Sequence, residues 1–236
     1  MTPASPELSV ILPCRNQADH IGPVLGRYLA ALDPTRVAYE LVVVPNACTD
    51  ETAGNVRERA EREPRIRVVE NPEGGWGLSV LTGMRAARGR TLCFTNSART
   101  DPAHIPPLLE LFQRNSPCIA KVRRHRRGVL SREAGSSLYN LEARALFGIA
   151  VRDVNGTPKV LLRGDFERLA LESPGDLLDL EIMAKAHRLG IQVVEMPVEG
   201  FTRHGGRSST NLRSAWRMYA GAVGLRRTLR RFGQER

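Results

Sequence analysis

Four short runs of β-branched and aliphatic residues recur at near-regular intervals in the first part of this chain, each followed by enough residues for a helix. They are Leu8-Ser9-Val10-Ile11-Leu12-Pro13, Leu41-Val42-Val43-Val44, Ile66-Arg67-Val68-Val69 and Thr91-Leu92-Cys93-Phe94. Most are apolar at nearly every position, as a strand covered on both faces must be. Start signals precede the intervening helices. Asp19 caps one running to about Leu32. Thr49 or Asp50 caps one to about Arg62, with Glu51 favourable in its first turn. Gly74-Gly75-Trp76-Gly77 leads into one ending near Arg88. Asp101-Pro102 opens the next, with proline where no amide hydrogen is needed. This alternation implies an α/β fold with a mostly parallel central sheet and helices on both faces. Ligands of such sheets bind beyond the carboxyl ends of the strands, here residues 13–17, 45–50 and 95–101.

The second part is less regular. Pro117 to Val122 reads as a fifth strand and runs into K-V-R-R-H-R-R at 121–127, where five cations stand in seven residues. Such a run is a solvated surface or a place where an anion relieves the repulsion. Arg132 to Phe147 is a helix with Leu138, Leu141, Ala145 and Leu146 on one side. Next comes R-D-V-N-G-T-P-K-V-L-L-R, residues 152–163. Here a polar turn enters the buried strand Val160-Leu161-Leu162. Gly156 permits a positive φ, Pro158 fixes the next step, and Lys159 stands beside backbone that an anion could approach. An ordinary loop-to-strand junction would look the same. Asp176 to Leu189 is a helix, Ile191 to Val198 a strand, and Asn211 to Phe232 a basic amphipathic helix of the kind that lies on an anionic membrane or packs on its own domain.

Length and charge narrow the partners. The 236 residues are enough for one large domain with its own core, and the formal charge of +10 favours anionic ligands such as nucleotides, phospholipids or nucleic acid. No recognised nucleic-acid motif accompanies the charge, so nucleic acid ranks last. Cys14, Cys48, Cys93 and Cys118 have neither metal nor disulfide spacing, which suits a reduced cytoplasmic chain. The first residues, M-T-P-A-S-P-E, do not read as a signal peptide, and no stretch approaches 18 apolar residues, the minimum for a spanning helix.

Seven segments, in order, carry a resemblance to family-2 glycosyltransferases of the GT-A fold, close to the dolichol/polyprenyl-phosphate mannosyltransferase-like branch. L-S-V-I-L-P-C-R-N-Q resembles the family's opening strand and P-x-x-N-E turn. E-L-V-V-V-P-N-A-C-T-D-E-T resembles its D-D-G-S-T-D-G-T strand end. G-W-G-L-S-V-L-T-G-M-R-A-A-R-G resembles its glycine-spaced helix. D-V-N-G-T-P-K-V resembles its D-x-N-G-x-P-K turn. L-D-L-E-I-M-A-K-A-H-R-L-G and the strand after it resemble the acceptor-side helix and strand, and R-H-G-G-R-S-S fits R-x-x-G-x-S. The resemblance covers about Leu8 to Thr210, so residues 1–210 are expected to form the GT-A domain and 211–236 a basic tail.

What the resemblance implies is inverting transfer of a sugar from a nucleoside-diphosphate sugar to a polyprenyl phosphate or a small molecule. It places the nucleotide at Pro13, Arg15, Asn16, Gln17, Asn46, Gly75, Gly77, Thr95, Asn96 and Ser97. The diphosphate falls to Arg124, Arg127, Lys159, Arg203, Arg207 and Ser208, the acceptor side to Asn155, Gly156 and Thr157, and the acid–base role to Asp179 and Glu181. The family's acidic positions are altered here. Pro45 and Asn46 replace the first two aspartates of D-D-G-S, and Thr95-Asn96-Ser97 falls on the D-x-D that holds Mg²⁺ or Mn²⁺. Neutral hydroxyls are poor ligands for a hard divalent cation, so the expectation is no metal cofactor, with arginine and lysine in its place. The alternative is a non-catalytic nucleotide- or sugar-binding relative that regulates or scaffolds a partner. A homodimer and peripheral membrane contact through 211–232 are compatible with either.

Overall fold

The computed structural model describes residues 5–98, 100–125, 130–199 and 212–231, and of residues 125, 130–137, 212–218 and 230–231 the backbone alone. Its strands are β1 Leu8–Cys14, β2 Tyr39–Pro45, β3 Ile66–Val68, β4 Thr91–Phe94, β5 Ile119–His125, β6 Lys159–Leu162 and β7 Val193–Glu199. Its helices are α1 Ile21–Leu32, α2 Thr52–Arg62, α3 Trp76–Ala86, α4 Ile105–Asn115, α5 Leu130–Phe147, α6 Arg163–Leu169, α7 Leu178–Arg188 and α8 Leu212–Arg231. One seven-stranded sheet has the order β3-β2-β1-β4-β6-β5-β7. Strands β3, β2, β1 and β4 are mutually parallel, as are β5 and β7. Only β6 runs against its neighbours, pairing antiparallel with β4 and with β5.

Strand alternation sends neighbouring residues into two cores. Leu8, Val10 and Leu12 of β1, with Leu41 and Val43 of β2, face α1 and α4 and pack on Val24, Tyr28, Leu108 and Phe112. Ile11, Val42, Val44 and Phe94 face the other way, against Val80 and Met84 of α3, Tyr139 of α5 and Ile182 of α7. The helix stripes follow from the same demand: α1 buries Ile21, Val24, Leu25, Tyr28 and Leu32, at three- and four-residue spacing. At Gly83 of α3 a Cβ would lie 2.5 Å from Ile11 Cγ2, so the missing side chain lets α3 sit close on the sheet.

Two local expectations differ. The strand after the 153–158 turn begins at Lys159 itself and passes directly into α6, which has no strong sequence signal. On α5, Leu138 and Leu141 are 59% and 55% exposed, while Tyr139 and Ala143 are buried. The helix packs through the neighbouring stripe, because α8 crosses it at Tyr139, whose ring meets that of Tyr219 edge-on at 5.8 Å. Of the two arrangements expected for the terminal helix, packing on its own domain is the one seen: Ala222 and Leu229 are buried, and Arg188 of α7 donates to the Leu229 carbonyl. Among the described residues no helix is long and apolar enough to cross a membrane.

Candidate functional site

The reversed direction of β6 assembles the site. The carboxyl ends of β1, β2, β3 and β4 share one edge of the sheet because these strands are parallel. The register pairs Phe94, the last residue of β4, with Lys159, the first of β6. The 153–158 turn therefore stands at this edge although it precedes a strand. The carboxyl end of β5, with the start of the basic run, reaches the same edge.

On the β1–β4 side, side chains tie the strand-end loops to one another. Asn16, at φ 49°, and Thr49 exchange two hydrogen bonds, Thr49 N to Asn16 Oδ1 at 2.9 Å and Asn16 Nδ2 to Thr49 Oγ1 at 3.2 Å. Gln17 is 5% exposed; its backbone N donates to Thr52 Oγ1 at 2.7 Å and its Nε2 to Ser97 Oγ at 3.0 Å. Asp50 accepts from Thr52 N and Ala18 N; burial pulls its pKa upward, but these bonds and that from the Thr52 hydroxyl outweigh it and hold the carboxyl below its ordinary value. Asn46 accepts from Asn71 Nδ2 at 3.2 Å, which joins the ends of β2 and β3. Arg15 is exposed beside them.

Several expected contacts are placed otherwise than the sequence reading had them. Thr95 is fully buried and donates to Thr100 Oγ1 at 2.6 Å; Ser97 donates to the Pro13 carbonyl at 2.8 Å; Asn96 Oδ1 accepts from Ala98 N at 3.0 Å. These groups bind the loop together. Gly75 and Gly77 are spent on packing. A Cβ on Gly77 would stand 2.3 Å from the Ser173 carbonyl oxygen, and one on Gly75 2.8 Å from that of Pro174, so the glycines admit the 173–175 loop rather than a ligand. The amide of Leu78 donates to that same Pro174 oxygen at 2.8 Å.

The β5–β6 side holds a buried charge network. Lys159 has no exposed surface; its ammonium lies 5.4 Å from the Phe94 ring centroid and donates to Asp179 at the start of α7. Expected at a diphosphate, it is instead committed to an ion pair under the sheet, and burial lowers its pKa. Arg124 forms a two-pronged contact with Asp153, Nε to Oδ2 and Nη2 to Oδ1, each 2.8 Å. Burial alone would raise the Asp153 pKa, but Arg124 and then Lys121 carry it well below the carboxylate range. Glu181 is likewise engaged, accepting from Ser173 N at 2.8 Å and Glu172 N at 3.1 Å and pairing with Lys185 at 2.6 Å. Its carboxylate anchors the loop before α7. Gly156 fits because a Cβ there would lie 2.0 Å from the Val122 carbonyl oxygen. Asn155 Oδ1 is buried without a partner among the described residues, and Thr157 is half-buried. Arg127, Arg203, Arg207 and Ser208 lie outside the described residues.

One member of this network escaped the sequence reading. Lys121 counts as part of a basic run, yet it is fully buried and donates to the carbonyls of Val122 and Asp153 and to Glu195 Oε1 at 3.2 Å. It is the register partner of Lys159. Burial first, and then the neighbouring Lys159 charge, push it down to about 8. Strand alternation was the available signal, since position 121 shares the inward side of β5 with Ile119. A separate cleft of about 420 Å³, lined by Leu8, Thr91, Leu109 and Phe112, opens at the amino ends of β1 and β4, away from all these groups.

A Rossmann-like sheet with ligand loops at one edge and an acidic helix start facing them defines the GT-A class of α/β fold. The family model described as glycosyl transferase family 2 matches residues 9–169, and the chain belongs to that family. It is 30% identical over 214 residues to glycosyltransferase AglD of Haloferax volcanii, covering 84% of this chain and 34% of that one. It is 29% identical over 159 residues to dodecaprenyl-phosphate galacturonate synthase of Rhizobium johnstonii, covering 65% and 47%. The chain thus spans less than half the length of these curated relatives. Among solved structures, glucosyl-3-phosphoglycerate synthase from Mycobacterium tuberculosis, with Mn²⁺, UDP-glucose and phosphoglyceric acid, superposes with a TM-score of 0.71 at 19% identity over 94% of this chain and 79% of that one. The same enzyme with Mg²⁺ and UDP gives 0.70 at 20% identity, over 94% and 79%.

These structures correct the expectation of no metal cofactor, since the fold is found holding Mn²⁺ or Mg²⁺ together with uridine diphosphate. The residues at the expected D-x-D do not themselves fit such an ion: Thr95 and Ser97 are neutral, buried and bonded inward. Among the described residues no three His, Cys, Asp or Glu side chains gather to hold one.

Proposed function

We propose that this chain transfers a glycosyl group from a nucleoside-diphosphate sugar to an oxygen of a polyprenyl phosphate or small-molecule acceptor, with inversion at the anomeric carbon. The observation that carries this reading is the meeting at one sheet edge of the strand ends 13–17, 45–50 and 95–101 with Asp179, which Lys159 holds at the start of α7. The acceptor oxygen attacks the anomeric carbon. The bond from that carbon to the diphosphate oxygen breaks on the opposite face, and its electron pair leaves with the diphosphate. A hydroxyl acceptor gives its proton to a carboxylate, for which Asp179 is the proposed group. An ionised phosphate needs no base, and Asp179 then orients it.

Arg15, Asn16, Gln17 and Asn46 remain the proposed nucleotide contacts, Asn155 and Thr157 the acceptor-side ones, and Arg127, Arg203, Arg207 and Ser208 those to phosphate. The relative named as a dodecaprenyl-phosphate synthase supports a polyprenyl phosphate acceptor, and exposed Val223, Arg226 and Arg227 on α8 support contact with an anionic membrane. A second reading, a nucleotide- or sugar-binding relative without turnover, is favoured by the inward bonding of Thr95 and Ser97.

Calorimetry with UDP, GDP, CDP, dTDP and ADP, in Mn²⁺ and then in chelator, tests the donor site. Mixing the nucleotide sugar of the tightest binder with a polyprenyl phosphate then tests transfer. Release of nucleoside diphosphate with a glycosylated product supports the enzyme. Binding without transfer supports the second reading, and no binding to any of the five counts against the transferase and favours a relative without turnover.

A further inference from the structure

The face of α5 turned toward α7 and α8 carries a polar group that the reaction above leaves unused. Tyr139 is 4% exposed, and its hydroxyl has no hydrogen-bond partner among the described residues. One turn further along, Oε2 of Glu142 is also buried and without a partner. The Tyr139 hydroxyl cannot turn freely to water, whereas Glu142 as a residue is half-buried. The Tyr139 ring is fixed edge-on against Tyr219, and its neighbour Asn140 is tied to the 153–158 turn by a 3.0 Å bond from Val154 N to Oδ1. Buried polar groups are nearly always paired, so two exceptions one turn apart on α5 mark a place completed by something else.

The chemistry of that something is set by the surroundings. After burial, the groups that bear most on the Tyr139 hydroxyl are the acids Asp179, Glu142 and Asp176, and its pKa is raised accordingly. Burial raises that of Glu142. Such a setting repels phosphate. An uncharged hydroxyl suits it, accepting from the Tyr139 O–H and donating to the Glu142 carboxylate. We propose that Tyr139 and Glu142 form a subsite, beside Asp179, for a hydroxyl of an uncharged sugar or polyol. On the glycosyl-transfer reading, from which its role follows, that hydroxyl belongs to the donor sugar or to the acceptor.

Tyr139→Phe removes the hydroxyl and keeps the ring. In the ligand-free protein its Tm should equal the parent's or exceed it by about 2 °C, because an unpaired buried donor is lost. A fall in Tm would show that the hydroxyl already has a structural partner and would overturn the proposal. Binding identifies the source. If Tyr139→Phe and Glu142→Gln weaken UDP-glucose or GDP-mannose about three- to tenfold and leave UDP or GDP unchanged, the subsite takes the donor sugar. If nucleotide sugars are unaffected but glycerol and methyl glucoside no longer perturb the tyrosine NMR signals that they shift in the parent, it takes the acceptor. If neither class of ligand is affected, or if inorganic phosphate perturbs Tyr139 as strongly as the polyols do, the proposal fails. A parent protein that binds no nucleotide would sink the glycosyl-transfer reading, while the polyol titration would still read the subsite.

Discussion

Lys159 and Asp179 stand twenty residues apart in sequence and form an ion pair in which neither side chain is more than 7% exposed. The pair joins the first residue of β6 to the first turn of α7, so the start of α7 is fixed to the sheet. Removing one partner of a buried pair leaves an uncompensated charge, which costs about 3–5 kcal/mol. Lys159→Met and Asp179→Leu should each lower stability by about that amount in urea denaturation. The double variant should lose markedly less than the sum. Full additivity would show that the two charges are not coupled.

The Arg124–Asp153 contact predicts acid sensitivity. The folded pKa of Asp153 lies below its unfolded value of 3.8, so the unfolded chain takes up the proton first. The stability contributed is complete above the unfolded pKa and is lost as pH falls through the folded one. Thermal melts below about pH 5 should show a shallower acid loss for Asp153→Asn than for the parent, from a lower starting stability.

Lys121 predicts the opposite end of the scale. Its folded pKa of about 8 lies below the unfolded 10.5, so between these values the unfolded chain holds more protons and stability rises with pH. Lys159 adds a contribution of the same sign. In Lys121→Met the rise between pH 8 and 10.5 should be visibly smaller. An unchanged slope would mean that Lys121 titrates normally.

Gly77→Ala would bring a methyl group to 2.3 Å from a backbone oxygen of the 173–175 loop. Backbone cannot yield as a flexible side chain does, and overpacking of this kind costs about 1–3 kcal/mol. The same change at Gly22, where a Cβ would meet nothing within 4 Å, should be neutral or slightly stabilising. Comparing the two melting temperatures checks both statements.

The sheet was largely legible because runs such as Leu41–Val44 admit few alternatives to a doubly covered strand. The direction of β6 was not, since Val160-Leu161-Leu162 reads identically in either orientation. The site was legible as a set of segments but not as a set of contacts. A lysine after a polar turn looks the same whether it meets solvent or a carboxylate, and only the long-range partner Asp179 settles which. Glu181 and Asp179 are likewise indistinguishable in sequence, two positions apart at a helix start. In the fold one faces Lys159 and the other the amides of Glu172 and Ser173. Gly75 and Gly77 at the start of α3 are expected beside the nucleotide, yet the chain that approaches them closely, the 173–175 loop, lies nearly a hundred residues away in sequence.

The lone reversed strand has a consequence for how such a chain can vary. It divides the sheet into a block of four parallel strands and a block of two, and among the described residues β6 is the only strand bonded to both. Each block carries its own part of the ligand edge. The two blocks share one core on the α3 and α7 side, where Val42 and Val80 cluster with Ile119 and Ile182, and strand pairing through β6 keeps their ends level. A single-residue insertion or deletion that shifted β6 would turn Lys159 to the opposite face and put both blocks out of alignment at once.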